Sequence, residues 1–249
     1  MPKQRGSMQF EGTMNEMTFY KMGGKYYVRW KRQVNRNSVL RHPKYARFRE
    51  NGSEFGLAVK AGKLLRDAVK TLFKPAGCRG TSTRLLQLML KMQKADAISV
   101  RGQRNVGVAI QVPGIKELLK GFEFGNLSKM ESVLIKPYEV NILTGRLIIA
   151  NLIPLRDVKA PTGATHFTLS GGYADVNFAN DACALQLTNE INLPLDDTPV
   201  TIDLITPTLP AGMGTKFYLL KIAFYQMVNG VEYELNNGLF NGMVVAEVG

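Results

Sequence analysis

The hydrophobic pattern of this chain changes its period near Gly125, and this change restricts the folds that the chain can adopt. From Ser53 to Leu72, apolar residues recur every three or four positions, as on the buried face of an amphipathic helix. Beyond Gly125 that spacing is replaced by short β-type runs separated by turn residues. The pattern predicts an α+β fold with helices first and an antiparallel sheet after them.

Two long helices are predicted before Gly125. The first begins at Ser53, which can cap it, and Pro75 ends it. The second covers about 83–94, and its run LLQLMLKM is apolar nearly all round, which predicts burial. Residues 97–112 are predicted as a loop that could hold one strand, and 115–120 as a short helix.

The β-type runs predict a C-terminal antiparallel β-sandwich. The predicted strands are 132–139, 146–153, 165–170, 173–178, 184–192, 199–206, 216–227, 231–236 and 243–248. Asn229-Gly230 is the clearest hairpin signal, because a type I′ turn requires positive φ at both central residues. Ser170-Gly171-Gly172 is interpreted as a turn between two strands.

A further hairpin is predicted near the N-terminus, in TFYKMGGKYYVRW. Gly23-Gly24 suits a two-residue turn, which would place Tyr20 opposite Tyr27. Alternation then puts aromatic side chains on both faces of the hairpin. Because a two-stranded hairpin is marginal alone, it must pack on its own domain or on a second subunit.

Charge is divided unevenly among three predicted regions, a basic arm with a β-hairpin over 1–51, a helical region over 52–125 and a β-sandwich domain over 126–249. Residues 1–125 hold 25 Lys and Arg against 8 Asp and Glu, a net charge of +17. Residues 126–249 hold 7 against 12, a net charge of −5. A dipolar chain of this kind can bind polyanions, or bind copies of itself head to tail.

No motif in the sequence indicates catalysis or metal binding. The histidines His42 and His166 and the cysteines Cys78 and Cys183 are interpreted as structural, since their spacing fits no metal-ligand cluster or disulfide framework. Asp196-Asp197 is interpreted as a solvated turn. We therefore predict a protein that is not an enzyme and that has no catalytic residues, no metal site and no cofactor.

The N-terminal sequence and the apolar stretches bear on location. The first residues, MPKQRGSMQF, are charged and lack an apolar run, which predicts no signal peptide and a cytoplasmic protein. The longest apolar stretch, 147–155, is far too short to span a bilayer, so no membrane insertion is expected. Release into an extracellular or virion-like assembly stays compatible with these features.

The candidate binding residues are cations and aromatics interleaved in the basic arm. They are Tyr26, Tyr27, Arg29, Trp30, Lys31, Arg32, Arg36, Arg41, Lys44, Arg47 and Arg49. Single-stranded nucleic acid binds such sets, with phosphates on Arg and Lys and bases on rings. Two other interpretations stay open: a solvated surface whose aromatics lie in the core, and an arm that lies on an acidic neighbouring subunit.

The segment FYKMGGKYYVRWK, followed by HPKYARFRENGSEFGLAVKAGKLLRDA and later KGFEF, resembles a group of small uncharacterised proteins from Bacteroidota. In that group a G-K-x-Y-x-R segment precedes an R-x-N-x-x-E-F helix and a β-rich C-terminus. The resemblance covers residues 15–75 most closely. It implies the same two-part architecture, and no activity or functional residue comes with it.

These features together predict a non-enzymatic structural subunit that self-associates into a filament, sheath or coat-like assembly. The basic arm of one copy would dock on the acidic β domain of a neighbouring copy, a head-to-tail contact that gives rings or open polymers. The alternative is a nucleic-acid-binding protein that uses the same arm. The expected partner is therefore another copy of this chain or, in the alternative, nucleic acid.

Overall fold

The computed structural model describes residues 3–4, 8–31, 35–72, 80–125 and 129–249. The chain divides into two compact units, Met1–Arg49 and Glu50–Gly249. The first boundary lies close to the predicted end of the basic arm at residue 51. Residues 52–125 and 126–249, predicted as two regions, belong to the same unit.

Along the described chain, three strands come first, a block of helices follows, and most of the remaining elements are strands. The helices are α1 (Arg36–Arg41), α2 (Ala46–Val69), α3 (Thr81–Gln93), α4 (Val106–Ala109), α5 (Met130–Val133) and α6 (Pro154–Asp157). Short 3₁₀ helices cover Pro43–Tyr45, Lys116–Leu119 and Leu235–Gly238. The strands are β1 (Gly12–Met14), β2 (Met17–Met22), β3 (Lys25–Trp30), β4 (Glu139–Asn141), β5 (Arg146–Leu152), β6 (His166–Asn177), β7 (Ala182–Leu187), β8 (Ile191–Pro194), β9 (Val200–Ile205), β10 (Thr215–Val228), β11 (Val231–Glu234) and β12 (Gly242–Val248).

The first unit contains a three-stranded antiparallel sheet in the order β1-β2-β3. Gly23 and Gly24 form the turn between β2 and β3 with φ of 58° and 76°, which a side chain would strain. Tyr20 lies opposite Tyr27, as the two-residue turn predicts. The predicted hairpin is therefore confirmed, and β1 extends it by one strand.

The helix predicted from Ser53 begins earlier, at Ala46, so its predicted start is wrong. The 3₁₀ helix Pro43–Tyr45 runs directly into α2, which therefore needs no cap at Ser53. The side chain of Glu54, within this helix, accepts a hydrogen bond from the amide of Gly102 at 2.8 Å. The predicted end at Pro75 lies outside the described residues.

The second unit has a large antiparallel sheet built on two long strands. β6 and β10 pair from Thr215↔Val176 to Tyr225↔His166. β10 also pairs with β11 and β12, and β6 also pairs with β7 and β8. A separate antiparallel sheet has the order β4-β5-β9. The predicted α+β class is confirmed at this level, as helices combined with a large antiparallel sheet region.

Ser170-Gly171-Gly172 is the interior of β6, so its prediction as a turn is wrong. A Cβ on Gly171 would lie 2.7 Å from the backbone oxygen of Leu219 on β10. On the same residue, the amide donates to the Thr188 hydroxyl at 2.8 Å. Glycine here permits the close approach of neighbouring backbone, a second reason for glycine besides a turn.

Two other local predictions are corrected by the helices. The segment 97–112, predicted as a loop that could hold a strand, contains α4, whose N-terminus is capped by the Asn105 side chain accepting from the Val108 amide at 2.9 Å. The run 132–139 includes the end of α5, and a strand begins only at Glu139. At α4, the local hydrogen bond to the Asn105 side chain favours the helix over an extended segment.

The hydrophobic core lies in the second unit, where helices and strands share it. On one face of the large sheet, Leu65 and Met89 from α2 and α3 cluster with Phe217 of β10. On the opposite face, Phe167 of β6 clusters with Ile202 of β9. Alternation along the strands separates these two sets, because successive side chains point to opposite faces.

Candidate interaction surface

The sheet of the first unit has a cationic face, which we define by Tyr20, Lys25, Tyr27 and Arg29. The pairings Tyr20↔Tyr27 and Met22↔Lys25 place these side chains on one side of β2 and β3. The rings of Tyr20 and Tyr27 stack with centroids 5.8 Å apart. The Arg29 guanidinium lies 5.2 Å from the Tyr20 centroid, so cation and rings form one continuous layer.

The opposite side of this sheet is its apolar face. Its side chains come from alternate positions and are Met14, Met17, Phe19, Lys21, Tyr26, Val28 and Trp30. Trp30 is 69% exposed and Met14 is 64% exposed. The Nζ of Lys21 lies 5.1 Å from the centroid of the Tyr26 ring and partly covers it. Met14 and Trp30 are therefore among the most accessible apolar side chains of this face.

The predicted binding residues are divided between this sheet and the helices that follow. Of those on β3, Tyr27 and Arg29 belong to the cationic face, whereas Tyr26 and Trp30 belong to the apolar face. Lys31 directly follows β3. Alternation along the strand therefore separates residues that are consecutive in the sequence.

The remaining predicted cations lie on helical segments, apart from Arg32, which is outside the described residues. Arg36 and Arg41 belong to α1, Lys44 to the 3₁₀ helix, and Arg47 and Arg49 to α2. Arg49 has a structural role there, because its Nη1 donates to the carbonyl of Val39 at 2.7 Å and so caps the C-terminal end of α1.

The first unit combines a high charge with little burial. Residues 1–49 hold 12 Lys and Arg against 2 Asp and Glu, a net charge of +10. No described residue of this unit is fully buried, and its described cations form no ion pair with the described part of the chain. Exposed apolar groups on a charged sheet of this kind are typical of surfaces that bind a partner.

The second unit carries an acidic face at the end of its large sheet, which we define by Glu190, Glu232 and Glu234 around Tyr225. Glu234 lies opposite Tyr225, and Glu232 is two residues before it on β11. Burial raises the pKa of Tyr225, and these three carboxylates raise it further. The negative potential is therefore concentrated at one place.

Amide side chains, and no described cation, hold the carboxylates of β11. Asn192 Nδ2 donates to Glu232 Oε1 at 2.6 Å, and Asn241 Nδ2 donates to Glu234 Oε1 at 2.7 Å. Asn192 belongs to β8, which is separated from β11 by β6 and β10. For these side chains to meet, the sheet must curve across its width.

Two of the cavities in the second unit share Gly107 and Phe178 in their linings. One has a volume of about 380 Å³ and is also lined by Lys116. The other has a volume of about 350 Å³ and is also lined by Lys60, which pairs with Asp181. Neither has a buried side chain, among the described residues, whose polar atoms lack a partner.

Asp96 and Glu123 are two of the carboxyl groups in the second unit whose pKa values are strongly shifted. Burial alone would raise the pKa of Asp96, but hydrogen bonds from Ser99, Asn105 and Ile98 outweigh burial and hold it at about 2. Burial raises the pKa of Glu123 to about 7, although the Met130 amide donates to its Oε1 at 2.8 Å. The hydrogen bonds to Asp96 stabilise its loop, whereas the burial of Glu123 disfavours its charged form.

Comparisons with known proteins were made for the whole chain. No family model, curated protein or solved structure matches it. Among the described residues, no three His, Cys, Asp or Glu side chains lie together in a way that could hold a metal ion. The described helices include none with both the length and the apolar character to cross a membrane.

Sequence reasoning missed part of both surfaces. The binding set omitted Tyr20 and Lys25, although the predicted turn places them beside Tyr27 on the same face. It also left out the acidic face, whose only local signal is the alternation of Glu232 and Glu234 in VEYE. Glu190 joins them through the order of the strands, which the sequence does not specify.

Proposed function

We propose that this protein is a non-enzymatic structural subunit that self-associates, with the arm of one copy docking on the β domain of a neighbour. The observation that carries the proposal is the first unit itself. It has a net charge of +10 in residues 1–49 and exposes large apolar side chains such as Trp30, without a fully buried residue in its described part. Such a unit gains stability when another surface covers it.

A head-to-tail contact extends such a subunit into a polymer. The arm and the surface that receives it are different parts of the chain, so each copy can give one contact and receive another. A repeated heterologous contact closes into a ring or continues as a filament, sheath or coat. In this proposal the β domain is a sandwich, in which the large sheet and the sheet β4-β5-β9 face each other.

The sandwich is supported by side chains from both sheets. Phe167 and Phe224 of the large sheet share a hydrophobic cluster with Leu147 and Ile202 of the smaller one. The hydroxyl of Tyr218 on β10 donates to the carbonyl of Leu204 on β9 at 3.1 Å. An experimental structure in which these sheets join edge to edge, with no apolar layer between them, would contradict the sandwich.

Deletion of residues 1–49 tests the function, because it ends at the boundary between the units. Purified full-length protein is expected to form large particles in negative-stain microscopy, before and after nuclease treatment. The fragment 50–249, which contains every buried hydrophobic residue of the described chain, is expected to stay soluble, folded and unassembled. Identical polymers from the fragment would refute docking by the arm.

Nucleic-acid binding by the same arm is the second candidate. The exposed Trp30 ring lies between Arg29 and Lys31 in sequence and is open for a base to stack on. Binding of this kind falls steeply with added salt, because phosphate contacts release counterions. Particles or bound nucleotide that disappear with nuclease and physiological salt would favour this candidate. A protein that stays monomeric at high concentration and carries no nucleotide would refute both.

A further inference from the structure

The surface that receives the arm can be narrowed to one part of the β domain, an inference that rests on the proposed function. We propose that the cationic face of the arm docks on the acidic face of a second copy of this chain. The cationic face is formed by Tyr20, Lys25, Tyr27 and Arg29, and the acidic face by Glu190, Glu232 and Glu234 around Tyr225.

Charge complementarity is the first argument. Lys25 and Arg29 form no ion pair with the described part of the chain. The carboxylates of Glu232 and Glu234 accept hydrogen bonds from Asn192 and Asn241, which fix their positions and leave their charge uncompensated by a described cation. Charged groups arranged in this way set the orientation of partners and exclude wrong ones.

The dimensions of the two faces are the second argument. Lys25 and Arg29 are four residues apart on β3, which corresponds to about 14 Å at 3.4 Å per residue. The acidic face extends from Glu190, beside β8, to Glu232 on β11, and β6 and β10 lie between these strands. Curvature brings β8 close enough to β11 for Asn192 to donate to Glu232 at 2.6 Å, so the acidic face is narrower than three flat strand spacings, about 14 Å, and the long Lys25 and Arg29 side chains can converge on it.

The surroundings of the acidic face also suit a sheet as the partner. β11 is exposed along its length and has β10 as its only partner strand among the described residues. Tyr225 and Met227 form a partly exposed, apolar part of the same face. A flat layer of tyrosine rings can therefore cover this area while Lys and Arg reach the carboxylates. Lys221 lies further along β10 on this face. Because the face has three glutamates and Lys221 is a single cation, its net charge stays negative.

Two charge-reversal variants test the docking in a mixing experiment on the full-length chain. Glu232→Lys/Glu234→Lys reverses the receiving face, and Lys25→Glu/Arg29→Glu reverses the arm. Each variant alone is expected to lose assembly by at least ~100-fold in the concentration required, since like charges in contact cost several kcal/mol. Light scattering and negative-stain microscopy measure the loss.

The equimolar mixture is expected to assemble again. In it, the native arm of the first variant meets the native acidic face of the second, and the reversed arm meets the reversed face. Rescue by mixing also demonstrates that both variants are folded. The matched control is Glu117→Lys/Glu139→Lys, which makes the same change in net charge at two exposed residues without side-chain hydrogen bonds in the described structure. This control is expected to assemble like the parent chain.

A milder variant covers the case in which charge reversal disturbs the β10–β11 hairpin. Glu232→Gln/Glu234→Gln keeps an acceptor for both amide donors and is expected to weaken assembly by about tenfold. If the parent chain assembles and neither acidic-face variant changes its assembly, this docking site is wrong, although self-association still stands. The same conclusion follows if charge reversal abolishes assembly and mixing does not restore it. A parent chain that does not assemble at all would overturn the proposed function instead.

Discussion

Glu123 makes the stability of the second unit depend on pH, and this dependence can be worked out from the structure. Burial raises its pKa from 4.5 to about 7, and among the described residues its Oε2 has no hydrogen-bond partner. The folded state therefore binds a proton between these two pH values, whereas the unfolded state does not. Since stability falls with pH wherever the folded state holds more protons, the second unit loses stability as pH rises from 4.5 to about 7.

The size of this loss has an upper limit. An interval from 4.5 to about 7 corresponds to roughly 3 kcal/mol at 1.36 kcal/mol per pH unit. Because Glu123 is only partly buried, solvent screening reduces this figure, and we expect about 1–2 kcal/mol. Glu123→Gln removes the charge and keeps an oxygen that accepts from the Met130 amide. The variant should therefore be more stable than the parent by this amount at pH 8 and nearly equal to it at pH 4.

Urea unfolding at pH 4, 6 and 8, followed by circular dichroism, measures this difference. The protein concentration is kept where light scattering detects no particles, so that assembly does not contribute to stability. Glu117→Gln, at an exposed residue, is the control and should leave the difference flat across pH. A Glu123→Gln variant that is no more stable than the parent at pH 8, or equally stabilised at pH 4, would refute the argument.

Three further predictions concern stability and assembly. Asp96→Ala should destabilise the second unit by about 3 kcal/mol in urea unfolding, because it removes the carboxylate that accepts hydrogen bonds from three loop amides. A loss of stability under about 1 kcal/mol would contradict a stabilising role for this carboxylate. Gly171→Ala should destabilise the second unit by about 2 kcal/mol, because its Cβ would clash with the Leu219 carbonyl. Gly56→Ala, in open space on α2, should stabilise the same unit by about 0.5–1 kcal/mol, and equal effects of the two changes would contradict this reasoning. Trp30→Ala should leave the concentration required for assembly unchanged in light scattering, because Trp30 lies on the side of the sheet opposite the cationic face, and a large rise would move the contact to the apolar face.

The parts of the fold that could be predicted are those set by local chemistry. The Gly23-Gly24 turn specifies the pairing of β2 with β3, because a two-residue loop permits one register. The Asn229-Gly230 turn likewise joins β10 to β11, with φ of 51° and 77°. In both hairpins the residues that decide the structure are adjacent in the sequence. The third strand, β1, has no comparable signal.

The features that could not be predicted depend on distant parts of the chain. The composition of Ser170-Gly171-Gly172 indicates a turn. The contact that actually requires glycine at residue 171 comes from β10, which is far along the sequence and gives no local signal. The helix α2 begins seven residues before its predicted cap at Ser53, since the preceding 3₁₀ helix supplies its first turn. The acidic face needs the strand order β8-β6-β10-β11, and no pattern within a single segment specifies that order.

The same strand order changes the physical basis of the proposed docking. Residues 126–249 alone have a net charge of −5, which suggests a general attraction for the arm, but the compact unit 50–249 holds 20 Lys and Arg against 18 Asp and Glu, a net charge of +2. Two copies therefore do not attract each other through their overall charge. Since charges are screened beyond about 8 Å at physiological ionic strength, only groups that come into contact decide where the arm binds. A local acidic face on a weakly basic unit satisfies this condition, and the rest of that unit discourages the arm from binding elsewhere.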